Sequence, residues 1–233
     1  MLNIYYFHFN PFSVNTWIAW NDSKEALIVD PGYSNASERE TFVGFIDRNE
    51  LIPQAVLLTH GHVDHIFGAA DCCQRYGIKV YMGQDEGPVM DIHMKVALRF
   101  ELEEGVKMFP YEPVTDGQTL KLAGCEWKAI ATPGHSPGGI CYWCEQEKVM
   151  FSGDTLFKET IGRTDLPCGN YDDLIVSIMD KIMGLDGGTN VLPGHGAPTT
   201  LADERTHNPF LQPWGEPDQE DIDWDADGIE LNG

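Results

Sequence analysis

Positive charge is what this chain has least of. Fifteen Lys and Arg stand against 37 Asp and Glu in 233 residues, a formal net charge of −22. Phosphate contacts need Lys and Arg, so nucleic acid is disfavoured as a partner. Attraction to an anionic membrane surface is disfavoured for the same reason. No apolar run approaches the roughly 20 residues that span a bilayer. The N-terminus, MLNIYYFHFN, has no basic n-region and no clean apolar h-region, so no signal peptide is expected. Six cysteines do not amount to a disulfide framework in a chain of this size. They are expected to be reduced thiols in a cytoplasmic protein. Any repeat of fixed period is missing.

Nothing before residue 212 reads as a linker, so one domain over residues 1–212 is expected, followed by a tail at 213–233. From Glu216 onward there are eight acidic residues and no Lys or Arg. That tail has no periodicity and is expected to be disordered. Its Trp214, Trp224 and Ile229 offer the alternative of folding back onto the body or a partner.

The body reads as strands and helices in two rounds. Ile4 to Phe9, Val14 to Trp20 and Ala26 to Asp30 are strand-like, the last ending in an Asp30-Pro31-Gly32 turn. Ser37 and Glu40 have capping-box spacing ahead of Phe42, Val43, Phe45 and Ile46. A strand at Ala55 to Leu58 is followed by one helix from His65 to Tyr76, closed by Gly77. Ile78 to Met82 is another strand. Residues 85–104 are helical in pattern but interrupted by Gly87-Pro88, and Met90 to Phe100 is a candidate cover for the site or a homodimer contact. Thr119 to Leu122, Glu126 to Ala131, Gly139 to Trp143 and Val149 to Phe151 are successive strands. Tyr171 to Met183 is a helix with Leu174, Ile175, Ile178 and Ile182 on one face. Val191-Leu192 is a short strand, and Leu201 to His207 a short helix. This duplicated layout suits an α/β (α+β) architecture of two packed mixed sheets with helices outside.

Four strands end in small-residue turns that present metal-competent side chains. The densest is Thr59-His60-Gly61-His62-Val63-Asp64-His65. The others are His135 in Thr132-Pro133-Gly134-His135-Ser136-Pro137-Gly138, Asp154 in Ser152-Gly153-Asp154, and His195 in Pro193-Gly194-His195-Gly196. Any one of these histidines alone reads as an ordinary histidine, and Asp154 alone as a turn residue. Together they describe a binuclear centre. His60, His62 and His135 supply one ion, Asp64, His65 and His195 the other, and Asp154 bridges them. Imidazole with carboxylate suits Zn²⁺, with Fe or Mn as alternatives. Bridged ions lie about 3.5–4 Å apart and act jointly on a shared water and a substrate oxygen. Asp64 and Asp154 are thereby the carboxylates placed at the reacting centre.

His60-x-His62-x-Asp64-His65, with His135 in TPGHSPG, Asp154 in FSGDTLF and His195 in PGHG, resembles the metallo-β-lactamase superfamily over residues of about 1 to 210. The resemblance implies a four-layer αββα sandwich with metals at the end where these loops gather. Gly162-Arg163-Thr164-Asp165-Leu166-Pro167 and Glu204-Arg205-x-x-Asn208-Pro209-Phe210-Leu211 resemble glyoxalase II-like hydrolases, in a compact bacterial form without their C-terminal helical domain. That implies hydrolysis of a small-molecule thioester of the hydroxyacylglutathione kind, by attack of a metal-bridging hydroxide. The missing domain helps bind glutathione in that family, so the substrate thiol stays open. The same pattern resembles persulfide dioxygenases, in which His60, His135 and Asp154 would hold a single iron. Lactone hydrolysis is a further alternative on the same metals.

Lys158 and Arg163 are the basic residues close in sequence to a ligand. Arg163 is expected to pair with Asp165 rather than with substrate. Cys141 and Cys144 have C-x-x-C spacing but point to opposite faces of a strand and are read as ordinary buried thiols, as are Cys72 and Cys73. Cys168 is expected near the site mouth. His8, His93 and His207 lie outside any ligand turn and receive no role.

Overall fold

Alternate strand side chains go to different cores, and this alternation builds the layers. A computed structural model of the chain describes residues 1–99 and 107–212. The first sheet runs β1 (Asn3–Phe9), β2 (Val14–Trp20), β3 (Glu25–Val29), β4 (Ile52–Leu57), β5 (Lys79–Gly83), β6 (Glu112–Val114) in spatial order. The second holds β7 (Thr119–Leu122), β8 (Cys125–Ala131), β9 (Ile140–Cys144), β10 (Val149–Gly153), β13 (Asn190–Pro193) and β14 (Thr199–Thr200), ordered β14-β13-β10-β9-β8-β7. A two-stranded ribbon, β11 (Leu156–Phe157) and β12 (Thr160–Ile161), stands apart. The duplicated layout in the sequence is therefore one sheet per half.

Trp17, Ala19, Leu27, Val29, Ala55 and Leu57 of the first sheet meet Trp127, Ala129, Tyr142, Cys144, Phe151 and Leu192 of the second. Their chain neighbours Ile18, Ala26, Ile28 and Val56 face outward, onto Phe42 and Ile46 of α1 (Ala36–Arg48) and Ala69 and Cys72 of α3 (Ala69–Tyr76). Likewise Ile130, Cys141, Trp143, Met150 and Val191 face Leu174, Ile178 and Ile182 on the other side. Three cores between four layers make the αββα sandwich. Cys141 and Cys144 fall in different cores, as their spacing on a strand requires.

The sheets are mixed. β3, β4, β5 and β6 are parallel, while β1 and β2 are antiparallel additions. In the second sheet β8 and β10 flank β9 antiparallel to both, and β10 is parallel to β13. The ends of β8, β10 and β13 therefore leave the sheet on one side. This arrangement brings the histidine-bearing loops together.

Several local expectations change. Helix α1 is capped by Asn35, whose side chain accepts from Glu38 N at 3.0 Å, not by Ser37. Asn35 and Glu38 have the same three-residue spacing, and Glu38 also accepts from Ser34 N at 2.7 Å and Asn10 N at 2.9 Å. The helix expected from His65 to Tyr76 is two pieces, α2 (Val63–Ile66) and α3. Gly68 N bonds to Pro31 O at 2.7 Å, outside the helix, and a Cβ there would sit 2.5 Å from the Tyr33 ring. The Gly87-Pro88 pair does not interrupt a helix. It begins α4 (Gly87–Arg99), where proline lacks nothing it needs. The helix from Tyr171 is α5 (Tyr171–Val176), which widens into a π-type turn at Ser177–Ile182. There Ser177 Oγ donates to Pro133 O and Lys181 Nζ to Ala131 O, both at 2.8 Å, holding the turn onto the strand end before His135. Helix α6 (Leu201–His207) agrees with its expected range. β6, β14 and the β11–β12 ribbon are additions that two- and three-residue strands do not announce in sequence. The expectations for residues 100–104 and for the tail from 213 lie outside the described residues.

Candidate metal centre

All seven sequence-expected residues come together at one end of the sandwich. His60 to His65 follow β4, His135 follows β8, Asp154 follows β10 and His195 follows β13. Their donor atoms form three overlapping clusters: His60, His62 and His135; His60, His65 and Asp154; and Asp64, His65 and His195. His60, His62, His65 and His135 are buried, while His195 is 28% exposed at its side chain and Asp64 14%. The centre opens on the Asp64–His195 side.

Hydrogen bonds behind the imidazoles fix which nitrogen faces inward. His65 Nδ1 lies 3.0 Å from Asp30 Oδ2. A carboxylate can only accept, so His65 carries its proton on Nδ1 and turns an Nε2 lone pair to the centre. Thr59 Oγ1 donates to Asp30 Oδ2 at 2.7 Å and lies 3.1 Å from His60 Nδ1. With its own proton engaged by Asp30, the Thr59 hydroxyl accepts from His60 Nδ1, and His60 also presents Nε2 inward. His135 Nδ1 donates to Arg163 O at 2.7 Å, with the same result. One buried aspartate thus orients two inward-facing imidazoles, one directly and one through a threonine. Asp30 does so from a backbone φ of 47°, the left-handed region, at the Asp-Pro-Gly turn after β3.

The inward atoms have lone pairs and no donors to meet them. His60 Nε2, His65 Nε2 and Asp154 Oδ1 are buried with no hydrogen-bond partner. His135 Nε2 lies 2.9 Å from His62 Nδ1. Asp154 reaches His65 Nε2 at 3.4 Å through one oxygen and His135 Nε2 at 3.5 Å through the other, so it stands between the two groups. Asp64 Oδ2 is 3.2 Å from His195 Nε2 and 3.6 Å from His65 Nε2. Buried lone pairs without donors are costly unless a cation satisfies them. The donor set therefore fits bound metal, and the chemistry of its atoms, imidazole nitrogen and carboxylate oxygen, suits a divalent ion.

Electrostatics agrees. Burial, reinforced by His65 and other neighbouring histidines, pushes His60 well below the usual imidazole range. Burial and His135 do the same to His62. Burial also acts downward on His65, but Asp64, Asp154 and Asp30 together hold it well above that range, so without a cation its Nε2 takes up a second proton in the place a bound cation would fill. Burial would raise Asp154, yet His65 and the other imidazoles hold it below the ordinary carboxylate range. The centre favours positive charge among its carboxylates and disfavours it on the His60–His62 side.

Close packing tightens the arrangement. A Cβ on Gly194 would lie 2.2 Å from Asp154 Oδ1 and 2.6 Å from His65 Cε1, so only glycine fits before His195. Sequence reasoning missed three residues here. Asp30 was read only as a turn. Glu86 was not singled out, although it is fully buried and accepts from Gly61 N and Gly138 N. His93, given no role, stacks on His62 with ring centroids 4.2 Å apart and accepts from Val63 N at 3.4 Å. No local signal marks His93, because it comes from α4, thirty residues away. Arg163 forms the expected bidentate pair with Asp165, at 2.7 and 2.8 Å. Lys158 lines a surface cavity with Glu159, Asp203 and His207.

A model of the Metallo-beta-lactamase superfamily matches residues 9–195, a span that contains the whole donor set. This chain belongs to the metallo-beta-lactamase superfamily. A relative from Haemophilus influenzae, the hydroxyacylglutathione hydrolase GloC, is 35% identical over 212 residues, covering 90% of this chain and 98% of the relative. Among solved structures, the B3 metallo-beta-lactamase BLEG-1 superposes with a TM-score of 0.83 at 35% identity, over 91% of this chain and all of the other. The protein TTHA1623, solved in a di-iron-bound form, has a TM-score of 0.78 at 30% identity, over 89% of this chain and all of the other. The fold is thus the metallo-beta-lactamase fold, and the chain is a metallo-hydrolase of that superfamily. No helix among the described residues is long and apolar enough to cross a membrane.

Proposed function

We propose that this chain hydrolyses a small-molecule thioester of the hydroxyacylglutathione kind, at a centre of two divalent ions. His60, His62 and His135 hold one ion, Asp64, His65 and His195 the other, and Asp154 serves both. The observation that carries the two-ion reading is the overlap of the three donor clusters on His60 and His65, with Asp154 in reach of imidazoles on both sides. Similarity to the Haemophilus influenzae hydrolase over nearly its whole length supports the thioester class.

Ions in such a place lower the pKa of a water and polarise a substrate carbonyl. The rest falls to this chain's residues. Asp30, Thr59 and the Arg163 carbonyl keep three imidazoles in the ligating tautomer. Asp64 and Asp154 supply the negative charge that offsets the ions and lie beside the opening through which substrate enters. Gly134-His135-Ser136-Pro137-Gly138 spells G-x-S-x-G, but it joins two strands, β8 and β9, rather than a strand and a helix, and its Ser136 is buried, which agrees with direct attack by water rather than an acyl-enzyme.

Zinc is the proposed metal, and the di-iron form of TTHA1623 makes iron the alternative. The test is hydrolysis of S-lactoylglutathione and a panel of thioesters and lactones by protein loaded with zinc, iron or manganese. Thiol release from thioesters, above lactone turnover, is the expected result. Oxygen uptake with glutathione persulfide and no thiol release from any thioester would overturn the reading in favour of a dioxygenase.

A further inference from the structure

The turn between β5 and α4 holds a carboxylate buried away from solvent. Glu86 is 0% exposed and, among the described residues, has no salt-bridge partner. Each of its oxygens instead accepts one backbone N–H. Oε2 takes Gly61 N at 2.7 Å, and Oε1 takes Gly138 N at 2.7 Å. Gly61 lies between His60 and His62. Gly138 closes the turn that His135 opens. One side chain therefore ties the loop after β4, from the first sheet, to the loop after β8, from the second.

The approach is close enough to exclude side chains on both loops. A Cβ on Gly61 would lie 3.1 Å from Glu86 Oε2 and from Met90 N. A Cβ on Gly138 would lie 2.8 Å from Glu86 N. At Gly83, where β5 ends, a Cβ would meet Gly138 O at 1.9 Å. The glycines inside the two histidine motifs are thus explained by a third segment pressed against them. The Asp64, His65 and His195 group lies outside this clip. Its support is Asp30 behind His65.

We propose that Glu86 is a positioning residue for the three-histidine place alone: it sets the spacing of the His60–His62 loop from the His135 loop, and so the metal affinity of that place. The proposal rests on the two-ion reading above. An amide cannot replace the carboxylate, because its NH2 would face one of the two N–H donors and leave it unpaired. Outer partners of metal ligands commonly govern affinity by about tenfold to a hundredfold.

The test is zinc titration of the metal-free full chain against a competing chelator. Wild type takes up two ions. Glu86→Gln weakens one of them by about tenfold or more and leaves the other within about threefold. His62→Ala removes the same place, and adding Glu86→Gln to it leaves the remaining ion unchanged. Equal weakening of both ions by Glu86→Gln, or further weakening in the His62→Ala background, overturns the proposal and assigns Glu86 a general structural role. A wild type that takes up one ion overturns the two-ion reading and this proposal with it, whatever the variant does. If Glu86→Gln does not fold, Glu86→Asp keeps the charge but is too short to span both loops, and the same split is expected. Amide exchange in the wild type gives an independent check. Gly61 and Gly138 N–H are expected to be strongly protected, and rapid exchange at either contradicts the clip.

Discussion

Asp30→Asn isolates the chain of hydrogen bonds behind the metal centre. Asparagine fits the same space, and it tolerates the left-handed backbone at this position about as well as aspartate. The substitution therefore changes chemistry rather than shape. Asp30 accepts three hydrogen bonds, from Thr59 N at 2.8 Å, Thr59 Oγ1 at 2.7 Å and His65 Nδ1 at 3.0 Å. An asparagine side chain offers one oxygen and one NH2 in their place. If the oxygen keeps Thr59 N, the NH2 faces both the Thr59 hydroxyl and His65 Nδ1, and the His65 proton must move to Nε2. The lone pair that faced Asp64 and Asp154 is then gone. One hydrogen bond to a buried charge is lost, worth about 1.5–3 kcal/mol. Metal affinity at the Asp64–His65–His195 place should fall by about tenfold to a hundredfold. Zinc titration with chelator competition reads the affinity, and urea denaturation of the metal-free protein reads the stability. Wild-type affinity for both ions with an unchanged denaturation midpoint would refute the tautomer argument.

Other outcomes follow from the same geometry. Asp154→Ala should lose most activity and metal while the chain stays folded by circular dichroism, and full retention of metal would remove its shared role. Gly194→Ala places a methyl 2.2 Å from Asp154 Oδ1, and a loss of metal with a stability cost of about 1–3 kcal/mol is expected on thermal denaturation. Burial pushes the Cys72 thiol up to about 12 and that of Cys141 up to about 11. At pH 8 only about one in a thousand or fewer of these thiols ionises, so iodoacetamide should label exposed Cys168 first, as peptide mass mapping can check.

The layers were legible in the sequence because alternation of side chains along each strand is a local signal. Trp17-Ile18-Ala19 and Tyr142-Trp143-Cys144 each divide between two cores, as a period of two demands. The seven converging residues were legible because each follows an apolar strand in a glycine-containing turn. What supports them was not. Asp30, Glu86 and His93 act on segments 25 residues or more away in the chain, and a buried carboxylate that accepts backbone N–H groups leaves no pattern around itself. Helix boundaries failed where tertiary contacts decide them. Pro31 takes the Gly68 amide and divides one expected helix into two, while Pro133 and Ala131 hold the widened turn after α5. Arg163 was foreseen as the partner of Asp165. That its carbonyl also orients His135 follows only from the folded loop.

Metal content measured alongside turnover tests the central claim most directly. The protein is stripped with a chelator, reloaded stepwise with zinc, and assayed at each step for thiol released from a hydroxyacylglutathione thioester. The two-ion hydrolase predicts uptake of two ions per chain, through His60, His62 and His135 on one side and Asp64, His65 and His195 on the other. Thiol release should rise with loading and vanish on chelation. One iron per chain, with oxygen consumed on glutathione persulfide and no thiol released from any thioester, would contradict it.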